Sequence, residues 1–212
     1  MNARILVFAK APVAGRAKTR LIPALGAEGA ARLQAALLED ALQRARAAGP
    51  IGLELWGTGE DPEAWLPQAA ADYGASLRKQ CNGDLGSRMQ DALARATADG
   101  TPALIMGTDA PGLSAASIEQ AGASLRRYDA VLVPAFDGGY VLFGMHTAPA
   151  ALFSGIDWGT DRVLAATRER LRALDWRVDE RPPTWDVDRP EDLEQVRALG
   201  GRWPAYVDAS AI

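Results

Sequence analysis

An α/β fold in three layers, with a mostly parallel central sheet between helices, is what this sequence predicts. Short apolar runs alternate with long amphipathic stretches, and Ala-rich segments such as AALLEDALQRARAAG favour helix strongly. The segments after the apolar runs also carry Gly, Pro, Asp or cations rather than bland loop residues, as a sheet with ligands at its carboxyl edge requires.

The strand candidates are Arg4 to Phe8, Ile51 to Trp56, Ala103 to Met106, Ala130 to Pro134 and Tyr140 to Phe143. Helices are expected at about Ala27 to Ala48, Pro62 to Ala71, Leu85 to Ala98, Ser114 to Arg127, Asp161 to Leu174 and Pro190 to Leu199. Ser114 and Asp84 read as N-caps, Pro190 with Glu191 and Asp192 as a first turn, and Gly49 and Gly100 as helix stops.

The 212 residues, 48% hydrophobic, are enough for one sizeable core, and no Pro/Gly/Ser-rich linker divides them, so one domain spanning residues 1–212 is expected. A net charge of -4 argues against a nucleic-acid footprint. The apolar run of residues 5–9 is too short for a signal peptide or a membrane span, so no membrane partner and a soluble, cytoplasmic setting are expected. A single cysteine, Cys81, excludes an internal disulfide and a cysteine zinc site.

Three post-strand segments carry the chemistry. In AKAPVAGRAKTR a tight turn offers backbone N–H groups to an anion beside the cations Arg16 and Lys18, a description that a phosphate fits; the nucleotide candidates here are Ala9, Lys10, Pro12, Gly15, Arg16 and Lys18. It is not a P-loop, since Ala17 stands where a glycine should precede the lysine. In GTDAPGL, Asp109 ends the most apolar strand, where a hard divalent ion shared with substrate phosphates would satisfy the carboxylate; capping or an Asx turn is the structural alternative. Thr108 beside it is a further nucleotide candidate. In PAFDGGY, two glycines let a substrate or the chain itself approach closely, or close an ordinary hairpin.

A second acidic stretch, Trp185-Asp186-Val187-Asp188, would point both carboxylates to one side if extended, so either could complete a metal site, while Asp188 could instead cap the last helix. NGDLGSRM reads as a Gly-rich helix entry whose free N–H groups and Arg88 could meet a polar ligand or simply be capped. His146 has no nucleophilic partner and reads as structural. Trp158 and Trp185 flank these segments and could line a pocket or the core.

FAKAPVAGRAKTRL, NGDLGSRM, GTDAPGL, PAFDGGYVLFG and WDVDRPEDL, in that order, resemble a bacterial family of glycosyltransferase-like proteins formerly called a domain of unknown function, some linked to arsenosugar biosynthesis. That family lies in the nucleotide-diphospho-sugar transferase superfamily, with a GT-A-type fold. The resemblance implies nucleotide phosphates at Gly15, Arg16 and Lys18, a divalent metal (Mg2+ or Mn2+) at Asp109 and Asp188, and a nucleoside near Asp84, Gly86 and Arg88. It implies an acceptor or sugar by Asp137, Gly138, Gly139, Tyr140 and Trp158. Arg189 stands where related endings have a small polar residue, and Gly107-Thr108-Asp109 carries one carboxylate where many GT-A enzymes have Asp-x-Asp. The function expected is metal-dependent glycosyl transfer from an NDP-sugar to a small acceptor, with Lys18 neutralising the leaving group and Asp137 as general base. Nucleotidyl transfer releasing pyrophosphate, and a non-catalytic nucleotide-binding regulator, are the alternatives.

Overall fold

The structure, a computed structural model, describes residues 2–208. Seven strands form one sheet: β1 (Arg4–Lys10), β2 (Gly52–Thr58), β3 (Ser76–Lys79), β4 (Ala103–Met106), β5 (Ala130–Pro134), β6 (Tyr140–Met145) and β7 (Val178–Glu180), in the order β3-β2-β1-β4-β6-β5-β7. All pairings are parallel except those of β6, which runs antiparallel to both β4 and β5. The helices are α1 (Ile22–Ala47), α2 (Trp65–Tyr73), α3 (Leu85–Ala96), α4 (Ala115–Ser124), α5 (Val163–Ala173), α6 (Leu193–Ala198) and α7 (Pro204–Val207). This is the expected α/β sheet flanked by helices, of GT-A type.

Strand alternation builds the layers. In β1, Ile5 and Val7 face one side and pack with α1, α2 and α4, whereas Leu6 faces the other and joins Met89 and Leu93 of α3 and Leu164 and Leu171 of α5. Strands buried on both faces read as continuous apolar runs, which is why the central ones were visible in the sequence. A third cluster, Leu21, Leu33 and Leu37 with Val187, Val196 and Trp203, ties the C-terminal segment to α1.

Three expectations are corrected. Strands β3 and β7 were not foreseen; they are short edge strands held by pairing with β2 and β5. A short helical piece from Ile22 precedes the expected first helix and is divided from it by non-helical Gly26, so the long helix itself resumes at Ala27. The last begins as a 3-10 turn at Pro190–Asp192, where the Asp192 carboxylate accepts from the Arg189 and Asp188 N–H groups, so Asp188 is not the cap. Ser114 and Asp84 do cap α4 and α3, each accepting from the N–H three residues on. His146 bonds the Leu125 carbonyl. Among the described residues no helix is long and apolar enough to cross a membrane.

Candidate active site

The segment after β1 turns back on itself: Arg16 and Ala17 N–H groups both donate to the Val13 carbonyl, and Gly15 takes a positive φ. Lys18 is itself left-handed, at φ 46, between buried Ala17 and Leu21. A non-glycine residue in that region is strained by roughly 1–2 kcal/mol, and here the strain aims a long cation inward. The Lys18 side chain is 5% exposed, its ammonium 3.0 Å from Asp109 Oδ1 and also donating to the Val187 carbonyl.

Asp109 follows β4 at the carboxyl edge. Its Oδ1 also accepts from the Thr108 hydroxyl (2.9 Å), and its backbone carbonyl accepts from Val187 N–H (2.8 Å). Arg44 of α1 reaches across to the Ala110 and Leu113 carbonyls and anchors the rest of that loop. Burial pulls the Arg44 guanidinium below its usual range, partly offset by its ion pair with Asp40.

After β5, Asp137 Oδ1 accepts from Gly139 N–H (2.8 Å), closing the turn. Gly138 has a specific reason to be glycine: φ is +90, and a Cβ there would stand 2.2 Å from the Asp161 carbonyl oxygen. The chain, rather than a ligand, makes the close approach. Gly86 plays the same part against Trp158, whose indole nitrogen would lie 2.4 Å from an added Cβ.

The C-terminal segment arrives through a parallel bridge between Thr184 and Ala135, which sets Asp186 and Asp188 over the sheet edge. Asp188 is ion-paired with Arg20, and its N–H donates to Asp192. Asp186 is different. Burial first, then the charges of Asp137 and Asp109, push its carboxyl up to about 6.

These groups line one cavity of about 660 Å³, which holds Lys10, Arg16, Lys18, Thr108 and Asp109 together with Asp137, Gly139, Tyr140, Trp158, Asp186 and Asp188. Gly15 instead lines an adjoining hollow of about 380 Å³ with Lys10 and Arg16, where Arg16 pairs with Glu60. Ala9 and Pro12 are buried in the fold. Asp84, Gly86 and Arg88 do not line the cavity: Asp84 caps α3, Gly86 lies under Trp158, and Arg88 donates to Gln80 (3.0 Å). Sequence reasoning missed Gln34 and Thr19 on the polar wall, where Arg20 of the same cationic loop also stands, and Phe8, Leu85 and Met89 on the apolar one. Thr19 and Arg20 stood within the quoted loop. Gln34 had a subtler signal, as a polar residue on the apolar stripe of a helix.

Among the described residues, no three His, Cys, Asp or Glu side chains cluster closely enough to hold a metal ion by themselves. A carboxylate raised by the charges of two neighbours that line the same cavity suits a hard cation, which takes two such groups and completes its shell with substrate oxygens and water. Asp109 and Asp186 fit that use. Asp188, the second ligand expected from the sequence, lines the same cavity and is ion-paired with Arg20.

A crystal structure from Desulfovibrio desulfuricans G20, provisionally described as a nucleotide-diphospho-sugar transferase, matches with a TM-score of 0.85 and 30% identity, covering 99% of this chain and 93% of that one. Two more distant structures share the fold. The 4-diphosphocytidyl-2C-methyl-D-erythritol synthase of Anaerococcus prevotii has a TM-score of 0.63 and 13% identity, covering 93% and 96%. A Mycobacterium tuberculosis H37Rv protein solved with manganese has a TM-score of 0.57 and 18% identity, covering 92% and 97%. No curated protein matches the sequence at a significant level. Residues 30–160 match the family model described as "Uncharacterized protein conserved in bacteria (DUF2064)", and this chain belongs to that family.

Proposed function

We propose that the chain acts as one domain and is a metal-dependent transferase that holds an NDP-sugar in the cavity and moves the glycosyl group to a small hydroxyl acceptor. The observation that carries this reading is the meeting of Lys18, Asp109, Asp186 and Asp188, from three distant segments, around one cavity. The 30% identical Desulfovibrio structure, with its provisional description, supports the same reading.

Asp109 and Asp186 would hold Mg2+ or Mn2+, which supplies positive charge to the leaving diphosphate. Lys18 adds a fixed cation beside Asp109, and its buried, doubly bonded position keeps it preorganised. Asp137 takes the proton from the acceptor hydroxyl as that oxygen bonds the anomeric carbon; the bond from that carbon to the diphosphate breaks and NDP leaves. Its Oδ1 is occupied by Gly139 N–H, which fixes the carboxylate for the task.

A second reading is nucleotidyl transfer from an NTP to a phosphorylated small molecule. The single carboxylate of Gly107-Thr108-Asp109 favours it, as does the likeness in fold to a diphosphocytidyl-transferring synthase. Incubation with UDP-, GDP-, ADP- and CDP-sugars plus Mn2+ should release NDP in the presence of acceptor. Pyrophosphate release from an NTP with no NDP-sugar turnover would replace the first reading by the second, and tight nucleotide binding with neither reaction would leave a binding protein.

A further inference from the structure

Gln34 lies on the stripe of α1 that faces the fold, among Ala30, Leu33, Leu37 and Leu38, and is 4% exposed. A buried amide needs partners, and its Nε2 finds two: the Lys10 carbonyl at 3.4 Å and Thr108 Oγ1 at 3.2 Å. A carbonyl only accepts, so the amide edge turned to Lys10 must be the NH2. The same NH2 then fills a lone pair on Thr108 and leaves the hydroxyl proton for Asp109 Oδ1, 2.9 Å away. Lys18 meets that same oxygen from another direction at 3.0 Å. Asp109 Oδ1 is thus held between two donors, while Oδ2 carries no bond among the described residues.

We propose that Gln34 is a positioning residue: through Thr108 it fixes the rotation of the Asp109 carboxylate, so that Oδ2 is presented to a divalent cation in the cavity. This rests on the metal-dependent reading above. Gln34 touches neither nucleotide nor metal in this role. Its effect passes through the direction of one hydroxyl, because a Thr108 freed of the amide can turn its proton elsewhere and release the carboxylate.

The test titrates metal-free protein with Mn2+ alone, following free Mn2+ by electron paramagnetic resonance. Q34L and T108V should each weaken binding by about tenfold or more, as losses behind a metal ligand do. The Q34L/T108V double variant should be no weaker than the worse single, and T108S should restore binding. Should Q34L fail to fold, Q34E replaces it and should weaken binding likewise, since a carboxylate accepts from Thr108 and reverses the relay. A metal-free reading accompanies this: the Gln34 side-chain NH2 protons should exchange slowly in wild type and at least about fivefold faster in T108V, having lost a buried acceptor. A folded Q34L that binds Mn2+ as wild type does, losses that multiply in the double variant, or unchanged exchange in T108V would overturn the proposal alone. Wild-type protein that takes up no Mn2+ would instead overturn the metal-dependent reading, and with it the purpose given to Gln34.

Discussion

Lys18 and Asp109, ninety-one positions apart in the chain, meet at 3.0 Å, with the lysine side chain almost wholly enclosed and the aspartate 46% exposed. The asymmetry has a physical consequence. The cation is fixed by the protein, whereas the carboxylate still faces the cavity and remains open to a ligand.

Replacing Lys18 by methionine keeps the stem and removes the charge. Nucleoside diphosphate binding in the presence of Mn2+ should weaken by at least about tenfold, the loss of one charge-assisted contact of about 1.5–3 kcal/mol. The free protein should lose only about 1 kcal/mol, because water reaches the Asp109 carboxylate left behind. Calorimetric titration and thermal melts measure the two effects separately.

Asp186 gives a pH signature. Its folded carboxyl titrates at about 6 against an ordinary 3.8, so the native state disfavours the ionised form. The penalty is absent below 3.8, grows between the two values and is complete above 6. That interval corresponds to about 3 kcal/mol, which solvent screening of a partly exposed group reduces to about 1–2 kcal/mol. Chelator-treated D186N should therefore melt higher than wild type at pH 7.5 and equal to it at pH 3.5. A gain that is independent of pH would contradict this account.

The two acids of the DVD stretch should separate by role. D109N and D186N should raise the Mn2+ dissociation constant by about tenfold or more. D188N removes the partner of Arg20 instead, and should alter Mn2+ binding by no more than about threefold, the effect of a partly exposed pair worth under 1 kcal/mol. Free Mn2+ measured by electron paramagnetic resonance would decide the assignment.

G138A tests the turn beneath Asp137. A methyl group 2.2 Å from the Asp161 carbonyl oxygen, on a backbone at φ +90, should lower stability by about 2–4 kcal/mol. Because Gly138 also accepts from Leu164 N–H at its carbonyl, the shift should reach the start of α5 as well, visible as faster amide exchange there.

The central strands were legible because both their faces are apolar, and the loops because Gly, Pro, Asp and Lys are poor choices for bland connections. Strand β3, Ser-Leu-Arg-Lys, is exposed at every residue and has no apolar run to announce it. Only its pairing with β2 makes it a strand. The reach of Arg20 to Asp188 and the turning of Arg88 toward Gln80 depend on tertiary neighbours that no local pattern encodes. Gln34 sat in plain view between Leu33 and Leu37, and its place on the buried stripe of the helix was the available clue.

The three cations that follow Gly15 in the first loop each have a carboxylate of their own: Arg16 with Glu60, Lys18 with Asp109, Arg20 with Asp188. At rest, then, this corner of the molecule is close to electrically balanced. A polyphosphate arriving bare must strip cations from existing companions and strand three acids behind it, whereas one escorted by its counter-ion trades charge for like charge. On the metal-dependent reading proposed above, this pairing would favour anions that come already accompanied over stray ones.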